Sequence, residues 1–265
     1  MTVKKQLKIL LMLLKMKLSR NMAFRLSFFG AFFVDGSLFL IQIILFHAIY
    51  SQTGSIGEWN RPQMLLFIGT FSLLNAVNMV LYFFGVITIP EKIKSGQMDL
   101  YITKPLNTLF HLSFENIDIG SAPLVPASLG IIAYAISEMD IPITAGRLLG
   151  YIFLVLLMQI LYYDMEVILR TLPFFFIQTA SIERLEGELL GLCMKIPGTL
   201  FKGAFKALFY LILPYGIMAT VPAQFFAGVL TPLGFVYSIV VVVAFTVFAL
   251  SFFRFGLKNY KSASS

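Results

Sequence analysis

The residues able to do chemistry are few, and most sit inside apolar runs. Asp35 falls about halfway along the first of these runs. A carboxylate in that position is either a substrate or ion contact or a structural group satisfied by a neighbouring helix. Asn75 and Asn78 are spaced i, i+3, so a helix puts them on one face. There they serve as glue between helices or as the lining of a path. Asp164 and Glu166 beside Tyr162 and Tyr163 form the only polar cluster that a lipid-modifying enzyme could use, and an aromatic–acidic span end reads more simply as an interface anchor. His47 and His111 fall at opposite ends of different segments, and the lone Cys193 cannot form an internal disulfide. There is no G-x-x-x-x-G-K-[ST] loop, no H-E-x-x-H pair and no G-x-S-x-G elbow. The residues therefore predict no catalytic, metal or cofactor site on this chain. Basic residues flank hydrophobic runs, which argues for membrane topology and against nucleic-acid binding.

The elements that must hold these residues follow from composition. Of 265 residues, 58% are apolar and only 12% charged. A soluble domain carries about twice that charge. Such a chain faces lipid, and at about 20 residues per span its length holds six crossings and no large soluble domain. Lys4, Lys5, Lys8, Lys15, Lys17 and Arg20 alternate with leucines at helical spacing, so residues 1–22 read as a basic amphipathic helix at the membrane surface and not as a signal peptide. The spans are expected near residues 22–50, 62–90, 117–137, from 147 past 163, and 232–253. The net charge of +7 is concentrated at the two ends and at residues 92–104, which places these in the cytoplasm. Residues 164–231 allow two topologies. In one, residues 164–206 are cytoplasmic and 207–228 is a span. In the other, 179–196 is the fifth span and 197–228 is a pair of half-helices dipping back into the outer leaflet, broken at Pro197, Pro214 and Pro222. The chain reads as a single transmembrane domain over residues 1–265, all-α, with no repeat of the kind a secondary carrier shows.

Residues 89–107 read I-P-E-K-I-K-S-G-Q-M-D-L-Y-I-T-K-P-L-N. Pro90 breaks the preceding helix, Gly96 allows a tight turn, Asp99-Leu100-Tyr101 begins a second short helix, and Lys104-Pro105 ends it. This alternation of polar and apolar residues suits either a solvated loop or a surface that docks in a groove. Gly96, Asp99, Lys104, Pro105 and Asn107, with E-N-I-D-I-G-S at 115–121, P-Y-G-I-M-A-T-V-P-A-Q-F-F-A-G at 214–228 and the basic tail after residue 253, carry a resemblance. The chain resembles the membrane permease subunit of type-2 ATP-binding-cassette (ABC) transporters, in a six-span bacterial branch.

The resemblance implies a permease in the plasma membrane with both termini cytoplasmic, and it favours the topology with a re-entrant element at 197–228. It implies export, a second permease subunit (identical or related), and a separate cytosolic ATPase that binds ATP and Mg. The amphipathic helix at 1–22 and the loop at 90–113 would meet that ATPase, with Glu91, Lys92, Gly96, Asp99, Leu100, Lys104, Pro105 and Asn107 forming the coupling surface. Asp35, Asn75 and Asn78 are the candidates for the translocation path. The alternative is a stand-alone carrier or channel using Asp35.

Overall fold

A backbone that crosses lipid must satisfy its own polar groups, and the apolar runs here do so as helices. The structure, a computed structural model, describes residues 51–176 and 178–260, with scattered positions among residues 36–50. The expected amphipathic helix at 1–22, Asp35 and most of the first expected span lie outside the described residues.

A small antiparallel hairpin of β1 (Ser55–Ile56) and β2 (Trp59–Asn60) delivers the chain into α1 (Arg61–Asn78). The helix starts on a capping box. Asn60 Oδ1 accepts from the Gln63 N–H at 3.0 Å, and Gln63 Oε1 accepts from the Asn60 N–H at 3.1 Å. Past α1 the helix widens into a π turn at Met79–Phe83. The Val80 carbonyl there accepts from the Asp118 N–H at 3.0 Å, so a donor from outside the helix supports the widened turn. The continuous path Arg61–Lys94 has 34 residues. At 1.5 Å each that is roughly 50 Å, longer than the ~30 Å hydrocarbon core.

Four short helices follow: α2 (Ile89–Lys94), α3 (Asp99–Ile102), α4 (Thr108–Phe114) and α5 (Leu124–Ser137). Then come α6 (Ala145–Thr171), capped by the Thr144 hydroxyl, and α7 (Ala180–Lys195). A broken segment contains α8 (Gly203–Ala207), a π turn at Leu208–Ile212, α9 (Tyr215–Met218) and α10 (Thr220–Phe226). The chain ends with α11 (Pro232–Asn259), capped by Thr231.

Among the described residues three helical runs are long and apolar enough to cross a membrane: Arg61–Lys94, Ala145–Phe174 and Pro232–Asn259. Gly203–Ile212 and Tyr215–Phe226 make a fourth if counted as one broken span; they meet at 79° across Leu213–Pro214. Pro214 lacks the N–H that would continue the helix. The structure departs from the expected spans in two places. The third, at 117–137, is a run of turns followed by the 14-residue α5. Asp118 causes this, because its carboxylate accepts from the Gly120 and Ser121 N–H groups at 3.2 and 3.1 Å and holds the chain in a turn. The fifth, at 179–196, is the 16-residue α7, which is too short and too charged to stand with the three long runs.

Helix α6 runs through the core. It packs on α11 and α10, while α1 lies along α5. Phe67, Leu74, Met158, Tyr162, Tyr215 and Phe226 are the fully buried centre. A second, smaller core gathers Tyr82, Ile89, Met98, Leu112 and Phe253 beneath α2–α4. The two ends of the bundle have separate contents. At one end Trp59 Nε1 donates to Thr199 Oγ1 at 2.8 Å and Gly228 lies beside Arg147. Lys202, three residues past Thr199, therefore belongs to this end. At the other end Phe174 packs on Phe253 and Tyr260, next to α2. Only 22% of the apolar window of α11 is buried, and Leu233, Val236, Val240, Val243 and Val247 form its exposed stripe.

Candidate functional site

The loop between α1 and α5 is held tightly from beneath. Pro90 occupies the first turn of α2, where its missing N–H is not needed. Gly96 turns the chain at φ +74°, a conformation that disfavours any side chain. The turn is closed by the Met98 N–H donating to the Lys92 carbonyl at 3.1 Å, and the Met98 side chain drops fully into the small core. Asp99 opens α3. Asn107 caps α4, its Oδ1 accepting from the Phe110 N–H at 3.0 Å.

A cluster of charged and aromatic groups sits behind this loop. Lys92 is buried and pairs with Glu115, a residue that the spacing of the sequence does not mark as its partner. The Tyr101 hydroxyl donates to the other oxygen of Glu115 at 2.8 Å. The Tyr101 ring lies under the Lys92 ammonium at 4.5 Å and under Lys104 at 5.1 Å, and the His111 ring stands 5.0 Å from it. Burial, and then the positive charges of Lys104 and Lys92, pull the His111 imidazole below its ordinary 6.5. Burial likewise raises the Tyr101 phenol. The Tyr260 hydroxyl is raised by burial and then by the Asp99 carboxylate near it, which ties the last described turn of the chain to α3.

The coupling candidates therefore divide. Lys92 and Gly96 shape the loop from within, and Asn107 caps a helix. Glu91, Leu100, Lys104 and Pro105 are exposed. Leu100 is 62% and Ile102 44% exposed, two apolar side chains left uncovered on α3.

The path candidates meet a different set of groups. Tyr162 donates to Asn75 Oδ1 at 3.1 Å. Asn78, which is 1% exposed, reaches Tyr162 and Glu166. Glu166 leads on to Arg170 one turn along α6, Arg170 to Glu186 on α7, and Glu186 to the Tyr215 hydroxyl at 2.7 Å. The two asparagines thus open a buried polar network that joins α1, α6, α7 and α9. Asp35 lies outside the described residues. The Asp164–Glu166 cluster does not form. Residues two apart on a helix point to different neighbours, and Asp164 turns to α11, where the Thr246 hydroxyl donates to it at 2.5 Å. Tyr163 also turns away, to Ser113 at 2.8 Å. An open groove of about 570 Å³ lies below the π turn, lined by Tyr82, Phe110, Phe114, Gln159 and Tyr163 among others.

Long apolar helices, a broken helical pair and a clasped polar loop define an all-α integral membrane protein. Residues 37–264 match the family described as ABC-2 family transporter protein, and the chain belongs to that family. It is a membrane permease subunit of an ABC transporter. No curated protein and no solved structure matches it.

Proposed function

We propose that this chain forms the membrane path of an ATP-driven exporter and is driven through α2–α4 by a separate cytosolic ATPase. ATP and Mg bind on that partner. A second permease subunit, identical or related, completes the path in the plasma membrane, and the basic flanks at the two ends of the chain and at residues 92–104 favour cytoplasmic termini. One observation carries this reading. The loop after the first long span is locked from within by Lys92, Glu115 and Tyr101, yet it presents Leu100 and Ile102 outward. Uncovered apolar side chains on a loop held fast from beneath are what a part needs to dock in a groove and transmit movement. ATP-driven closure of the partner would shift the population between two arrangements of the spans.

The test is purification of the tagged chain in mild detergent with mass spectrometry of what accompanies it. A stoichiometric ATPase carrying a phosphate loop is expected. Leu100→Asp should lose that partner by tenfold or more while the permease itself elutes unchanged. If no ATPase accompanies the chain in several detergents and none adds back activity, the docking surface is not what the loop is for.

A further inference from the structure

The buried network around Arg170 holds more acid than base. Glu166, Arg170 and Glu186 are 2%, 4% and 5% exposed. Arg170 Nη2 is 3.4 Å from Glu166 Oε2 and Nη1 is 3.8 Å from Glu186 Oε2, both longer than a charge-assisted hydrogen bond of about 2.8 Å. The groups that face the cluster are Asn78 from α1, Tyr162 from α6, Glu186 from α7 and Tyr215 from α9. The charges acting on Glu166 are Arg170, Glu186 and Glu183. Glu183 sits at the edge, half-buried, and accepts from the Thr179 hydroxyl at 3.0 Å. With both inner carboxylates ionised the buried trio carries one uncompensated negative charge, in surroundings where such a charge is costly.

The hydrogen bonding of the same groups is incomplete. Among the described residues Glu166 Oε2, Asn78 Oδ1, Arg170 Nε and Arg170 Nη1 have no hydrogen-bond partner. Two of the four are acceptors, on Glu166 and Asn78, and two are donors on Arg170, so the ion pairs leave both sides unsatisfied. A metal ion is the wrong answer, since no group of three or more metal-ligating side chains exists among the described residues. We propose that the cluster is a proton-binding site, in which one proton is held by the Glu166–Glu186 pair around Arg170. The proton comes from water and forms an O–H bond to a carboxylate oxygen, with no change of oxidation state. On Glu166 it removes the uncompensated charge, while Glu186 stays ionised against Arg170 and Tyr215. This inference does not depend on how α2–α4 are used.

The test is infrared spectroscopy of the full-length protein in lipid nanodiscs, read at the carboxylic-acid carbonyl band as pH is stepped. At neutral pH the wild type should show a protonated carboxyl. E166Q and E186Q should each lose one carboxyl's worth of that band, because the remaining glutamate balances Arg170. R170Q should raise it by one carboxyl's worth, and E183Q should leave it unchanged. A wild type with no protonated carboxyl at neutral pH overturns the proposal before any variant is made. A band unchanged in both E166Q and E186Q overturns it as well.

Discussion

Replacing Glu115 by alanine tests whether the clasp behind the loop holds it. Glu115 accepts from Lys92 and from the Tyr101 hydroxyl, and the Lys92 and Glu115 side chains are only 10% and 15% exposed. Removal strands an ammonium in a nearly dry place. Breaking a fully buried pair costs about 3–5 kcal/mol, and a hydrogen bond to a charged group about 1.5–3. The residual exposure of both side chains puts the loss at about 2–3 kcal/mol. Since 1.4 kcal/mol is tenfold, local opening of residues 95–106 should become roughly 30- to 140-fold more frequent. Hydrogen–deuterium exchange of the protein in nanodiscs measures this directly. Loop amides should lose that much protection while α6 and α11 keep theirs. Adding Lys92→Met to Glu115→Ala removes the stranded charge and should return part of the protection. If the loop exchanges equally in E115A and wild type, the clasp contributes nothing and the loop is held by Met98 and its neighbours alone.

Three further outcomes follow from single contacts. Gly85→Ala places a Cβ 2.3 Å from the Ser113 carbonyl and 2.4 Å from that of Leu112, backbone atoms that cannot step aside, so thermal melting in detergent should show a loss of about 1–3 kcal/mol. Gly130→Ala, where nothing lies within 4 Å, is the neutral control. Asn107→Ala removes the cap of α4 and should cost about 1 kcal/mol, read as faster exchange at its first turn, whereas Asn107→Asp keeps the acceptor and the protection. His111 is held below its ordinary 6.5, so the opened loop takes up a proton before the closed one does. Protection of α4 should thus be complete above about pH 6.5 and decline below it, and His111→Phe should flatten that decline.

What could be read from the chain beforehand was local, and the reason is physical. Turn and cap chemistry acts over a few residues, so Gly96, the helix opening at Asp99 and the break at Pro214 were legible from residue type alone. The partners of Lys92 were not. Glu115 is brought to it by the fold of α2–α4, and no spacing marks the pair. The charged stretch 183–188 is more charged than a span allows when taken as a string. On the helix only Glu186 is buried, while Arg184 and Glu188 face outward. A 3.6-residue projection carried through that stretch would have found the one inward carboxylate. The π turn at 79–83 had no proline or glycine to announce it, and its support, the Asp118 N–H, comes from a later turn.

The clasp and the π turn together define what moves with the loop. Lys92 belongs to the end of the 34-residue path that begins with α1, and Glu115 to the stretch that leads into α5. The Asp118 N–H on Val80 ties the same two stretches a second time, deeper in the bundle. In the proposed docking a push on Leu100 or Ile102 would be delivered to α1 and α5 as a pair, and these two helices lie along each other. Helix α6 meets them through Tyr162 on Asn75 and Tyr151 on Thr70, contacts made by side-chain hydroxyls that can slide or re-pair. In the proposed mechanism, shear between the α1–α5 pair and α6 would have to re-pair these hydroxyls. The polar network from Asn78 to Glu186 crosses that same boundary, so any such shear must rearrange the groups around Arg170.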